Sequence, residues 1–149
     1  MKHTQSIEIE RPVRDVFDYV TDPARLPEWD TDVRRGEVVS EGVEGVGARI
    51  EIERTLPPSR RHGTLGGRIT EYEPMKAFAV TIDEGPMPFD LRYEFEELSG
   101  ATRLHVRIQS RPRGLRRLTE ALFAPLIRSR VAAHYRTLKL VLEEPTDAG

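Results

Sequence analysis

Residues 7–33 read "IEIERPVRDVFDYVTDPARLPEWDTDV", and the hydrophobic period changes twice within them. Upstream of Pro12, "TQSIEIE" alternates polar and apolar side chains over Thr4–Glu10, the period of a half-buried strand. Pro12 ends that pattern. Beyond it Val13, Val16, Phe17 and Val20 recur at helical spacing, and a proline suits a first helical turn because its missing N–H would lack a partner there anyway. Asp22 before Pro23 then has the form of an N-cap on a second, very short helix, broken again at Pro27. The only tryptophan, Trp29, follows at once.

After Asp32 the pattern turns to sheet for about half the chain. Strands are expected at Arg34–Ser40, Gly47–Leu56, His62–Glu73, Ala77–Asp83, Phe89–Leu98 and Thr102–Ser110. The stretches between them, "EGVEGVG", "PPSRR", "EPMK", "EGPMP" and "LSGA", have the composition of hairpin turns, so the segment reads as an antiparallel meander. Phe89, Leu91, Tyr93 and Phe95 alternate with Asp90, Arg92, Glu94 and Glu96, and Leu104, Val106 and Ile108 alternate with Arg103, His105 and Arg107. One face is wet and the other covered. A long helix to cover it is available only in the C-terminal third.

In that third, Phe123, Ile127, Val131, His134, Leu138, Val141 and Leu142 share one helical face at about 100° per residue. Leu115, Leu118, Leu122 and Leu126 form a second stripe nearly opposite. Pro125 lies between the two systems, where it removes one helical hydrogen bond. Two helical segments are therefore expected, the longer from about Pro125 to Glu144 across the sheet, the shorter at an edge or over an opening.

At 149 residues the chain has the length of a single domain, with no second one expected. Hydrophobic residues make up 38% and charged residues 32%, so the core comes from patterned elements and no apolar run reaches the roughly 20 residues of a membrane-spanning helix. No signal-peptide run opens the chain and cysteine is absent, which removes disulfides and thiolate metal sites and leaves a cytoplasmic protein as the expectation. A net charge of −2 argues against general nucleic-acid affinity. The four histidines, His3, His62, His105 and His134, are scattered with no ligand spacing, so neither metal nor cofactor is expected. No serine stands in a Gly-x-Ser-x-Gly elbow, and the glycines of "GVEGVGARI" and "HGTLGGR" introduce no helix and read as turns.

One strand, two short helices, six strands and a long C-terminal helix form an order that resembles the START-like, or helix-grip (SRPBCC), superfamily, and within it the polyketide cyclase/dehydrase-like group. The resemblance covers nearly the whole chain. It is most specific in residues 7–33 and in "GRITEYEPMKAFAV" (67–80), which is similar to the family's fourth and fifth strands. It implies an α+β fold in which a seven-stranded antiparallel curved sheet grips the long helix and leaves a cavity between them. Trp29 would then plug the base of that space, form part of its wall, or simply fill a wedge between helix and sheet.

Strand parity turns Tyr93 and Thr102 inward, with Tyr72 a further candidate, and helix phase puts His134 near the centre of the buried face with Tyr135 at its edge. With Phe78, Phe95, Val131 and Leu138 these give a mainly apolar cavity carrying few polar anchors, which suits a hydrophobic ligand with one or two oxygens. Binding of a lipid, isoprenoid or polyketide-like molecule is the leading expectation. A cyclase, aromatase or dehydratase using Tyr93, His134 and Arg68 is the alternative, and a docking protein is the third. For docking, Arg113, Arg116 and Arg117 beside Leu115, Leu118 and Leu122 resemble a basic amphipathic segment that meets anionic lipid, set against an ordinary solvated face paired with Glu120 or strand carboxylates.

Overall fold

The computed structural model describes residues 1–40, 45–56 and 60–145. Strand β1 (Lys2–Ile9) leads to α1 (Val13–Val20) and a 3-10 helix (Pro23–Glu28); β2 (Val33–Val38), β3 (Arg49–Leu56), β4 (Arg61–Glu73), β5 (Ala77–Glu84), β6 (Phe89–Glu97) and β7 (Thr102–Ser110) follow, and α2 (Arg116–Glu143) closes the chain. The seven strands form one antiparallel sheet in the order β1-β7-β6-β5-β4-β3-β2. This is the α+β helix-grip arrangement expected from the sequence, with strand ends displaced by at most two residues. Of the expected turns, residues 41–44 and 57–59 lie outside the described residues.

Alternation fixes which face is covered. The pairs Phe78↔Tyr93, Tyr93↔Val106 and Phe95↔Leu104 line up across β5, β6 and β7, and all five side chains are buried. The opposite face carries the charges, paired as in Arg92–Glu71 and Arg103–Glu8. Register shifts at Gly66/Gly67 and Ile69/Glu71 interrupt β4, the usual device for bending a sheet around its contents. Gly67 is required there: a Cβ would stand 1.9 Å from the Thr81 carbonyl oxygen.

The connection after α1 is set by local chemistry. The Asp22 side chain accepts from the Ala24 N–H at 3.0 Å and starts the 3-10 helix, as its N-cap position implies. That helix then lies directly on β2, because Gly36 has no side chain to hold it off; a Cβ would come within 2.3 Å of the Pro23 carbonyl oxygen. This close approach carries Trp29 under the sheet, where it is buried.

The long helix differs from the sequence expectation. It runs without a break from Arg116 to Glu143, with Pro125 inside it. The proline costs one intrahelical bond, while the bonds of the turns on either side remain available to hold the helix through it. Its C-terminal half is fastened to β1 and the turn after it: the Arg11 guanidinium donates to the Leu142 carbonyl at 2.8 Å, and the Glu143 carboxylate accepts from the Glu10 N–H at 2.8 Å. Its buried face is His134, Tyr135, Leu138 and Leu142, with Val131 half-buried. The second leucine stripe stays outside the core: Leu115, Leu118, Leu122 and Leu126 are 83%, 72%, 75% and 67% exposed. Among the described residues no helix is long and apolar enough to cross a membrane.

Candidate functional site

Between the sheet and α2 lies a cavity of about 110 Å³. Ile50 and Ile52 of β3, Leu65 of β4, Phe78, Val80 and Ile82 of β5 and Tyr93 of β6 form its sheet wall, and Val131, His134 and Tyr135 come from α2. Trp29 closes one side. Two groups of half-buried lining residues, Pro23 and Leu26 at the 3-10 helix and Phe89, Leu91 and Ile108 at the ends of β6 and β7, mark where the cavity nears the surface. The volume suits a single small ring; a ligand needing the roughly 300–1,000 Å³ typical of drug-sized molecules requires the walls to move apart.

Six of the nine cavity candidates line this space: Trp29, Phe78, Tyr93, Val131, His134 and Tyr135. Tyr72, Phe95 and Leu138 do not. The reason for the first two is Phe17 of α1, whose ring stands edge-on to Tyr72 at 5.6 Å and to Phe95 at 5.0 Å and fills the space they face. Tyr72, past the second irregularity of β4, is also 42% exposed. Leu138, one turn beyond His134, is fully buried in the core. Thr102 is buried too, and its hydroxyl donates to the Arg11 carbonyl at 2.9 Å instead of reaching the cavity. Arg68 is on the outer face, paired with Asp83 at 2.8 Å.

The polar pole of the cavity is richer than the sequence suggested. Tyr93 and Tyr135 share a hydrogen bond of 2.8 Å between their hydroxyls, and burial holds both phenols protonated, well above the usual range. Trp29 stacks obliquely on Tyr135 with 5.3 Å between ring centroids. Its indole N–H is buried and has no acceptor among the described residues.

Beside these rings sits a charged cluster. His134 Nε2 lies 3.4 Å from Asp30 Oδ1 and 3.3 Å from Asp32 Oδ2. Asp30 Oδ1 accepts from the Asp32 N–H at 3.0 Å, and the Arg130 guanidinium grips Asp32 through two bonds, Nε to Oδ2 at 2.5 Å and Nη2 to Oδ1. Arg54 stands 3.9 Å from Asp30 and 3.8 Å from Asp32. Two carboxylates thus face two guanidiniums, and a third cation would be in excess. Burial, aided by the two arginines, lowers the His134 pKa below its ordinary 6.5 against the pull of the two aspartates, so the ring is neutral near pH 7. Asp32 is held below its ordinary 3.8, first by its hydrogen bonds from Arg130. Asp30, Asp32 and His134 offer three ligand atoms within 4.8 Å of one another, yet a divalent ion would have to displace Arg130 from Asp32.

The sequence placed His134 on the buried face but gave it no acidic partners. The signal was present in "WDTD", two acids two residues apart just after the only tryptophan, whose turn folds both carboxylates back under α2. Arg54 and Arg130 carried no such sign, because arginines on a strand and a helix ordinarily face water.

The basic segment before α2 is only partly engaged. Arg111 lies 3.4 Å from Asp90, and Arg116 donates to the Pro86 carbonyl at 2.7 Å. Glu120 pairs with the Met1 amine at 2.6 Å and, among the described residues, with no arginine.

No curated protein matches the chain in sequence. Solved structures do match in fold. A protein of Thermus thermophilus superposes with a TM-score of 0.78 at 16% identity, over 95% of this chain and 97% of that one. A START superfamily protein of Mycobacterium smegmatis gives 0.71 at 12% identity, over 95% and 94%. The di-domain aromatase/cyclase StfQ of the steffimycin biosynthetic pathway gives 0.74 at 14% identity, over 96% of this chain and 50% of that one. The family model described as polyketide cyclase/dehydrase and lipid transport matches residues 1–143, so that a helix-grip sheet, a long closing helix and a sequence signature over nearly the full length coincide, and the chain belongs to that family.

Proposed function

We propose that the protein binds an apolar small molecule of lipid, isoprenoid or polyketide-like class, with at least one oxygen that accepts a hydrogen bond, in the cavity between sheet and α2. The observation that carries this reading is Trp29. Trp29 lines a cavity formed mainly by aliphatic and aromatic side chains, and its indole N–H is a buried donor without an acceptor among the described residues. An unmet buried donor costs about 1–3 kcal/mol, and a ligand carbonyl or hydroxyl oxygen that meets it recovers part of that as affinity. Native mass spectrometry of the protein as expressed should show a co-purified apolar species. Apolar fluorophores should bind and be displaced by fatty acids, isoprenoids or aromatic ketones, with no product on long incubation.

The neutral, buried His134 between two carboxylates supports a second reading, a cyclase or dehydratase acting on a polyketone. There His134 would move the proton and the Tyr93–Tyr135 hydroxyl pair would hold the substrate oxygen. Turnover of a polyketone that is lost in both His134→Leu and Tyr93→Phe would put this reading first.

A further inference from the structure

We infer that the first turns of α2, with the segment leading into it, form a docking surface for an anionic lipid bilayer. Leu115 at the N-cap and Leu118, Leu122 and Leu126 in the helix fall within an arc of about 80°, and each is at least two-thirds exposed. Four such leucines in one row are an apolar patch of the kind that soluble surfaces seldom carry without a partner.

The charge around the row selects the partner. Residues 111–130 contain six arginines and one acid, Glu120, on a chain whose net charge is −2. Glu120 is taken by the Met1 amine. The side chains of Arg113 and Arg117 are exposed and have no ion pair or hydrogen bond among the described residues. Cations at the start of a helix oppose its dipole and gain nothing for the fold. An apolar stripe flanked by arginines is the pattern of a helix lying in the plane of a membrane interface, leucines toward the acyl boundary and guanidiniums at anionic headgroups. A second copy of this chain fits poorly, since a two-fold pairing through the stripe would set one arginine-rich segment against another.

Docked in this way, the protein turns the Phe89 end of the cavity toward the bilayer, because Arg111 ties the basic segment to Asp90 at the start of β6 and Arg116 ties it to Pro86 in the turn before that strand. Only that orientation of the cavity rests on the proposed ligand binding; the docking surface stands on α2 itself.

The test is co-sedimentation of the full chain with vesicles of phosphatidylcholine, alone or mixed with phosphatidylglycerol. The wild type should bind the anionic vesicles at low salt at least about tenfold more tightly than the neutral ones, and release them at about 1 M salt. Arg113→Gln with Arg117→Gln should weaken binding on the order of thirtyfold. Leu118→Ser with Leu122→Ser should also weaken it, with the melting temperature of both variants lowered by no more than a few degrees, because all four side chains are largely exposed and the serines cost only helix propensity. Equal binding to both vesicle types, or none by folded wild type, overturns the proposal. So does a dimer in sedimentation velocity that Leu118→Ser with Leu122→Ser converts to monomer, which would make the stripe a subunit interface. Fluorophore binding in the cavity needs no vesicles, so failure here leaves the cavity function separately measurable.

Discussion

The hydroxyls of Tyr93 and Tyr135 satisfy each other in a buried site, and that mutual dependence has a measurable consequence. Tyr93→Phe leaves the Tyr135 hydroxyl without its partner and should cost about 1–3 kcal/mol on chemical denaturation. Changing both to Phe removes donor and acceptor together, so the double variant should lose little more than either single one. Additive losses would show that each hydroxyl has another partner. The charged cluster predicts a pH profile. The folded pKa of His134 lies below its ordinary 6.5, so the unfolded chain takes up that proton first; the stability this contributes is present above pH 6.5 and is lost as pH falls through the folded value. His134→Leu should erase that part of the acid-side loss. Asp32 acts in a lower window, its contribution present above 3.8 and lost as pH falls through its depressed value. Arg130→Ala should cost about 1–2 kcal/mol at neutral pH, at the low end for a charged pair because Arg130 is 46% exposed.

At the scale of elements, α2 is two helices in character within one in geometry. Its C-terminal half is core, and Leu138→Ala should cost about 2–5 kcal/mol. Its N-terminal half is held mainly by Phe123, Ala124 and Ile127, with a proline among them. Pro125→Ala restores the missing intrahelical bond at an exposed position and should stabilise by about 1–3 kcal/mol, as read by thermal melting. A loss of stability would mean that the backbone geometry Pro125 imposes is needed to fit α2 to the sheet. Strand alternation in residues 89–108, the helix start just after Pro12 and the Asp22 cap were legible in sequence because they are local rules acting over a few residues, although Pro12 itself stands one position before the first helical turn that was expected to hold it. The continuity of α2 was not, since whether a helix passes a proline depends on the bonds around it. The exclusion of Tyr72 and Phe95 from the cavity was hidden for a similar reason: parity gives the face, while Phe17, about eighty residues away along the chain from Phe95, decides what that face meets.

For the whole molecule, a sheet bent around one long helix leaves an interior that its own side chains do not fill, and the only tryptophan of the sequence, on the wall of that interior, has a buried indole N–H with no acceptor among the described residues. The cavity's existence followed from the resemblance of the sequence to its family, whereas its polar pole came from a turn, a strand and a helix brought together only by folding. The most direct measurement is the indole N–H resonance of Trp29 in a proton–nitrogen correlation spectrum, where a single tryptophan gives a single peak. Titration with a small aromatic ketone should move that peak downfield as the oxygen accepts the proton, while the hydrocarbon of the same shape should bind more weakly and leave the peak near its starting position. A peak that stays put while the ketone binds, or a ketone and a hydrocarbon that bind equally and shift it equally, would contradict an oxygen-accepting ligand seated against Trp29.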